Sequence, residues 1–412
     1  MTHLEKRVRK CLLGLFASAL AVFALSHSFV SQSTVLDDFI LETMKASHVP
    51  GLSACVVIKD RLVWAKAYGW ADAEQKIPMT TDTIQNIGSI SKTITATAVM
   101  QLWEKGKFKL DDDVNGHLPF QVRNPDFPDE SITYRQLLTH KSSIKDGPAY
   151  GKSYACGDPK ISLRDWIQGY LMPEGKYFNK DENFHVWKPG TEESQKGPRA
   201  YTNVGFGLLG YLVEVISGED FAAYCKKYIF EPLGMIKTGW MLADIDVNNH
   251  AIPYTYISEE FKMPEELTFE SFFPRYGADK QSIKKGELFP HCLYSFPNYP
   301  DGLIRTSVYE LSRFLRAYIN EGNFGDGQIL RKETVQSMLS QEHYGRGLCW
   351  YQIKRQNDQI VWGHGGGDPG IATQMQFLQK DGVGMIVFFN CDNPGKAYGE
   401  IIERLFEEAE NF

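Results

Sequence analysis

Three places in the chain put a serine three residues ahead of a lysine: Ser89/Lys92, Ser142/Lys145 and Ser282/Lys285. On a helical turn that spacing lets an amine reach a hydroxyl, the arrangement a serine nucleophile and its proton acceptor need. Spacing alone does not choose among the three, so their surroundings must. Ser142/Lys145 lies in THKSSIKDGP, where glycine and proline break any helix. Ser282/Lys285 lies in DKQSIKKGE, a charged loop with no apolar face. Ser89/Lys92 opens GSISKTITATAVMQLWEKG, a strong helix pattern closed by Gly106, with Ile90, Ile94, Ala98 and Leu102 on one face. A serine there stands beside unpaired backbone N–H groups and the positive end of the helix dipole, and both favour an oxyanion. The competing reading is a plain helix cap with a solvated lysine.

Two further stretches supply partners. Tyr201-Thr202-Asn203 lies between a Pro-Gly loop and the long apolar helix pattern VGFGLLGYLVEVI. Tyr-x-Asn recurs at Tyr177/Asn179 and Tyr318/Asn320, without that context. In IVWGHGGGDPGIATQMQF, His364-Gly365-Gly366-Gly367 ends one strand candidate and leads into another. Glycines there let a backbone N–H approach a ligand with no side chain in the way.

The order Ser89-x-x-Lys92, Tyr201-x-Asn203, His364-Gly-Gly resembles the penicillin-binding protein and serine β-lactamase superfamily. The branch it is most similar to holds class C β-lactamases, D-Ala-D-Ala carboxypeptidases and β-lactamase-like esterases. ITYRQLLTHKSSI, IFEPLGMIKTGW and PDGLIRTSVYELSRFL resemble further family segments, so the likeness spans residues 36–410. The resemblance implies a serine hydrolase that cleaves an ester or amide through an acyl-enzyme on Ser89. Lys92 and Tyr201 would share the proton-accepting task, with the choice between them open. The backbone N–H groups of Ser89 and Gly367 would form the oxyanion hole. Asn203, His364, Gly365 and Gly366 would hold the substrate, with no metal and no cofactor. Two departures stand out. His364 replaces the usual lysine, and a histidine grips a substrate carboxylate less firmly, which ranks an esterase or D-amino-acid peptidase above a β-lactamase. Ser143 stands where the family has glycine, so that turn's geometry is in question. The reading from another class is a non-hydrolytic penicillin-binding or sensor-type protein that keeps the fold.

The elements that must position these residues come from both ends of the chain. DDFILETMKASH (37–48) reads as an amphipathic helix, and GLSACVVIKD with RLVWAKAYGWAD as a hairpin. Past residue 302, TSVYELSRFLRAYINEG reads as a capped helix. GLCWYQIKRQ, QIVWGHGG, IATQMQFLQ and GVGMIVFFNC read as strands, and AYGEIIERLFEEAENF as a closing helix. The expected fold is α/β: an antiparallel sheet flanked by N- and C-terminal helices, with an inserted all-helical domain. Residues 34–105 plus 300–412 would form the α/β domain and residues 106–299 the mainly helical insertion, with the ligand in the cleft between them. Eleven aromatics crowd residues 250–300, including Phe261, Phe269, Phe272, Phe273 and Tyr276, and read equally as a pocket wall or as core.

Composition narrows the class. Of 44 basic and 51 acidic residues, four and one fall within residues 1–30, leaving a net charge of −10 on the remainder. That surface disfavours nucleic acid and anionic membranes. Residues 1–33 pair a basic start (Lys6, Arg7, Arg9, Lys10) with an apolar run from Leu12 to Leu25, the layout of a signal peptide or signal anchor. The expected location is periplasmic or secreted, with membrane attachment only through an uncleaved N-terminal segment. The expected substrate is a small molecule or peptide; oligomeric state is not legible. Six cysteines outside that leader allow 15 pairings that the sequence does not rank. DDDVNG imitates the start of a calcium loop, but Val122 occupies the position of its bidentate glutamate, so a capped turn is expected.

Overall fold

Successive residues of GLSACVVI point to opposite faces of a sheet. Leu52, Ala54 and Val56 join one apolar cluster, Cys55 and Val57 another. The computed structural model describes residues 35–191, 201–261, 283–340, 342 and 345–412. The leader, Phe269, Phe272, Phe273, Tyr276 and Ser282 lie outside them. Seven strands form one sheet: β1 (Gly51–Ile58), β2 (Arg61–Asp72), β3 (Ile77–Pro78), β4 (Tyr351–Lys354), β5 (Ile360–Asp368), β6 (Ile371–Leu378) and β7 (Val383–Phe389). The spatial order is β4-β5-β6-β7-β1-β2-β3, with every neighbouring pair antiparallel. The central pair β1/β7 joins the two ends of the chain.

Among the described residues six helices have nine or more residues: α1 (35–46), α2 (Ser91–Glu104), α3 (Leu163–Leu171), α4 (Val204–Ser217), α5 (Val308–Ile319) and α6 (Ala397–Glu408). Leu36, Ile40 and Met44 of α1 and Ile401, Leu405 and Phe406 of α6 cover one face. On the other, Leu311, Phe314 and Leu315 of α5 lead into a larger core shared by α2, α3 and α4. Small ladders join in, Ala155–Cys156 with Tyr294–Ser295 and Tyr254–Tyr256 with Leu288–Pro290. Cys156 and Cys292 form a disulfide, while Cys55, Cys225, Cys349 and Cys391 are buried thiols. Among the described residues no helix is long and apolar enough to cross a membrane.

One element matches the sequence reading closely and one differs. The glycines after His364 form the end of β5, as expected, with the strand running one residue further to Asp368 and pairing with β6 through Asp368↔Ile371. Strand propensity disfavours such a run, but close packing demands it, as the site shows below. The α2 helix is not one-faced. Lys92, Thr93, Thr95 and Thr97 are all fully buried, because α2 lies among α4, α5 and the loops rather than on a surface. Its threonines find partners there: Thr97 shares a hydrogen bond with Tyr318 (2.7 Å), and Thr95 donates to the Pro300 carbonyl (2.6 Å).

Candidate active site

Ser89 sits on a one-turn 3₁₀ helix, Gly88–Ile90, that runs directly into α2. Neither helix start carries a side-chain cap bond, so Ser89 is not a capping serine. Its hydroxyl oxygen instead accepts a hydrogen bond from Lys92 Nζ at 3.0 Å. Lys92 also donates to Asn203 Oδ1 and to the Asp301 carbonyl, both at 2.7 Å. An ammonium has three N–H donors, and three acceptors meet it here. The Tyr201 ring lies 4.9 Å from the same nitrogen.

The Tyr201-Thr202-Asn203 segment leads into α4, and a single carboxylate fixes it. Asp146 accepts from the backbone N–H groups of Asn203 and Val204 (2.9 and 3.0 Å), the Thr202 hydroxyl (3.1 Å) and the Asn203 amide (3.0 Å). The unpaired N–H groups at the helix start and the helix dipole favour a negative charge there. With Nδ2 held by Asp146, Oδ1 of Asn203 must face Lys92. His140 stacks on Tyr201 with centroids 4.4 Å apart and accepts the Thr202 N–H at 3.2 Å.

Strand β5 closes the other side. Residues 364–368 run past the end of β4, whose last pair is Tyr351↔Gly363, so this edge faces the Ser89 turn. The approach is too close for side chains. A Cβ on Gly88 (φ +52°) would stand 2.8 Å from the Gly367 nitrogen, and one on Gly366 would stand 2.0 Å from the Ile87 carbonyl oxygen. Thr373 of β6 donates to that same carbonyl at 2.7 Å and pins the turn to the sheet. The Gly367 N–H and Ser89 thereby share one corner, the placement an oxyanion hole requires.

Ser89, Tyr201, His364, Gly365 and Gly367 line one cavity of about 470 Å³, together with Arg346 and Tyr351. That volume suits a small ligand. Gly366 stands against the backbone of the turn, outside this wall. A second cavity of about 360 Å³ lies between Asp72, Thr80, Asn249 and His250 and holds no serine–lysine pair.

The electrostatics sharpen two expectations. Burial, and then the Lys92 charge, lower the His364 pKa to about 3, so the ring is neutral at physiological pH. Its Nδ1 lies 2.7 Å from the Gly365 carbonyl oxygen, while the buried Nε2 has no partner. Burial raises the Tyr201 phenol well above its ordinary value; the Ser89 hydrogen bond works against this and the Asp301 charge adds to it. Tyr201 therefore rests as a phenol.

The rival motifs do not assemble. Lys145 reaches the Asp181 carbonyl at the surface, and Ser142 Oγ accepts from the Ile144 N–H. Asn179 caps a short helix, and Tyr318 bonds Thr97 in the core. Ser143 adopts φ +63°, the left-handed conformation that favours glycine, and its hydroxyl accepts from Asn124 (2.9 Å). The described aromatics of 250–300 do not line the cavity; Tyr254, Phe289, Tyr294, Phe296 and Tyr299 are core. Asp113 caps its turn and pairs with Arg123. Sequence reasoning missed Asp146, Asp301, Arg346 and Tyr351. Asp146 lies in THKSSIKDGP, set aside as a rival motif, and Asp301 lies in PDGLIRTSVYELSRFL, quoted only for its family likeness. Arg346 and Tyr351 carry no distinguishing spacing.

Several known proteins resemble this chain. The chain is 25% identical to penicillin-binding protein 4* of Bacillus subtilis over 82% of its own length and 67% of that protein's. It superposes on an octameric penicillin-binding protein homologue from Pyrococcus abyssi with a TM-score of 0.67 at 25% identity, covering 91% of this chain and 77% of that one. On the D-amino acid amidase of Ochrobactrum anthropi SV3 the TM-score is 0.70 at 19% identity, covering 92% and 99%. The family model described as Beta-lactamase matches residues 36–410, and the chain therefore belongs to the beta-lactamase family, with the fold of its serine hydrolases.

Proposed function

We propose that this protein is an exported serine hydrolase that cleaves an ester or amide through an acyl-enzyme on Ser89. One observation carries the reading: Lys92 Nζ lies 3.0 Å from Ser89 Oγ at the edge of a cavity that Tyr201 and Gly367 also line. Ser89 attacks the substrate carbonyl after the Lys92/Tyr201 pair, at rest an ammonium and a phenol, has released one proton to solvent; the deprotonated member then takes the serine proton. The N–H groups of Ser89 and Gly367 take up the oxyanion charge. Collapse of the tetrahedral intermediate expels the alcohol or amine, which takes a proton from the same pair, and water then releases the acid. Asn203 keeps Lys92 in line.

An esterase or D-amino-acid peptidase ranks above a β-lactamase. The support is His364, which is buried and neutral and so offers no cation where a lysine would hold a substrate carboxylate. Export is supported by the leader and by the Cys156–Cys292 disulfide, which persists in oxidising compartments. Turnover of nitrophenyl butyrate, a D-Ala-D-Ala peptide and nitrocefin, each against a Ser89→Ala control, tests the reading. Ester or peptide turnover lost in Ser89→Ala is expected. Turnover confined to nitrocefin overturns the ranking, and no serine-dependent turnover leaves the non-hydrolytic binding protein.

A further inference from the structure

Lys92 is 0% exposed. A buried ammonium without a counter-charge costs several kcal/mol, so a carboxylate must face it. Asp146 is spent on Asn203 and its neighbours. The carboxylate that faces Lys92 is Asp301, with Oδ2 3.6 Å from Nζ, on the turn Tyr299–Asp301 whose main chain also accepts from Lys92. Asn298 donates to its Oδ1 at 3.0 Å and Tyr150 to its Oδ2 at 2.8 Å, which fixes the carboxylate plane.

From Tyr150 the contacts continue. Its hydroxyl lies 3.2 Å from that of Tyr154, and Tyr154 lies 2.8 Å from Asp368 Oδ1. Asp368 follows Gly367 on β5, and its Oδ2 is 3.6 Å from the Cβ position of Gly302, beside the Ser89 turn. Three hydrogen bonds thus join two carboxyl groups through two phenols. Two phenols supply two protons, so the chain is complete only when one carboxyl group holds the third. With that proton on Asp368, each bond points toward an ionised Asp301. With it on Asp301, each points the other way. Passage between the two states breaks and forms one O–H bond at each link and moves one proton in all.

We propose that Asp301 is the positioning residue that holds Lys92 against Ser89 and Asn203, and that Tyr150 and Tyr154 keep it ionised by placing the shared proton on Asp368. The inference rests on the reading of Ser89 and Lys92 as nucleophile and partner. Burial raises both carboxyl groups, Asp301 to about 6 and Asp368 to about 7; Lys92 opposes the first rise and Tyr154 the second. Asp301 has the Lys92 ammonium 3.6 Å away, whereas no ion pair is seen at Asp368 among the described residues, so the negative charge is placed on Asp301 and the shared proton on Asp368. The charged and titratable groups around the pair are Lys92 from α2, Asp146, Tyr150 and Tyr154 from one loop, Tyr201 ahead of α4, and Tyr294 and Arg305 behind Asp368. His364, which burial and the Lys92 charge lower, is neutral over this range.

The test is the pH profile of kcat/KM on nitrophenyl butyrate for wild type, Asp301→Asn, Tyr150→Phe and Tyr154→Phe. Wild type is expected to lose activity as pH falls through about 6, where Asp301 protonates. Asp301→Asn is expected to be slower throughout and to lack that acid limb. Tyr150→Phe removes a donor to the carboxylate, so its limb moves to higher pH, with roughly tenfold lower activity on the limb for each unit moved. Tyr154→Phe, which does not touch Asp301, is expected to move it the same way by less. A uniform loss at all pH values in these variants is what a merely structural role gives, and it overturns the proposal, as does a limb retained in Asp301→Asn. If Asp301→Asn does not fold, the tyrosine variants decide. Full activity of Ser89→Ala would instead overturn the underlying reading.

Discussion

The two faces of the sheet are built on opposite principles. Under α1 and α6 the core is aliphatic and aromatic, with Leu36, Ile40, Val387, Leu405 and Phe406 in contact. Across the sheet, around α2, the interior also buries Lys92, Thr93, Thr95, Thr97, Asn298 and Asp301. Each of these polar groups that the site uses has a directed partner. An apolar face tolerates small shifts at modest cost, whereas a polar core in low dielectric punishes any unpaired group. The first face therefore supplies stability and the second spends part of it on geometry.

Substitutions can break that contrast in order of size. Lys92→Ala removes the proton-transfer partner and leaves Asp301 buried without its cation. Turnover is expected to fall by roughly 10²–10⁴-fold, read as kcat/KM on the best ester. Gly366→Val drives a branched side chain into the Ile87 carbonyl, 2.0 Å from the Cβ position, and must push β5 off the Ser89 turn. With the Gly367 N–H displaced, kcat is expected to drop by about 10²–10³-fold while far-ultraviolet circular dichroism stays native. On the opposite face, Leu405→Ala should do the reverse. Denaturant unfolding is expected to show a loss of roughly 2–5 kcal/mol with kcat unchanged.

The smallest effect separates the faces by pH. Asp368 binds its proton more tightly in the folded chain, at about 7, than a carboxylate does unfolded, near 3.8. Its ionisation therefore destabilises the fold as pH rises from about 4 to 7, and fully above that. Asp368→Asn is expected to raise stability near pH 8 by on the order of 1–2 kcal/mol and not at all near pH 3.5, as measured by thermal unfolding. A gain at both pH values would place its origin in packing.

The same contrast decided what the sequence could show. The β-rich apolar run GLSACVVI and the amphipathic pattern of residues 37–48 led to β1 and α1 within a residue or two, because buried apolar elements leave a compositional or periodic trace. Ser89, Lys92, Tyr201 and Asn203 were legible through their order along the chain, which a fold of this family preserves. Asp146 and Asp301 were not. Their meaning lies in the backbone N–H groups and the ammonium they meet, contacts made across 57 and 209 residues of sequence. The glycine strand was legible, but its reason was not. Gly366 is there because of the Ile87 carbonyl, which belongs to another part of the chain. Ser143 shows that a left-handed turn can persist without its glycine when Asn124 binds the side chain.

The central claim is that Ser89 forms the covalent intermediate. The most direct measurement is intact-protein and peptide mass spectrometry after acid quench during turnover of a nitrophenyl ester. The expected result is one acyl group per chain, mapped to the peptide holding Ser89 and absent in Ser89→Ala. An adduct on any other residue, or ester turnover that persists in Ser89→Ala, would contradict it.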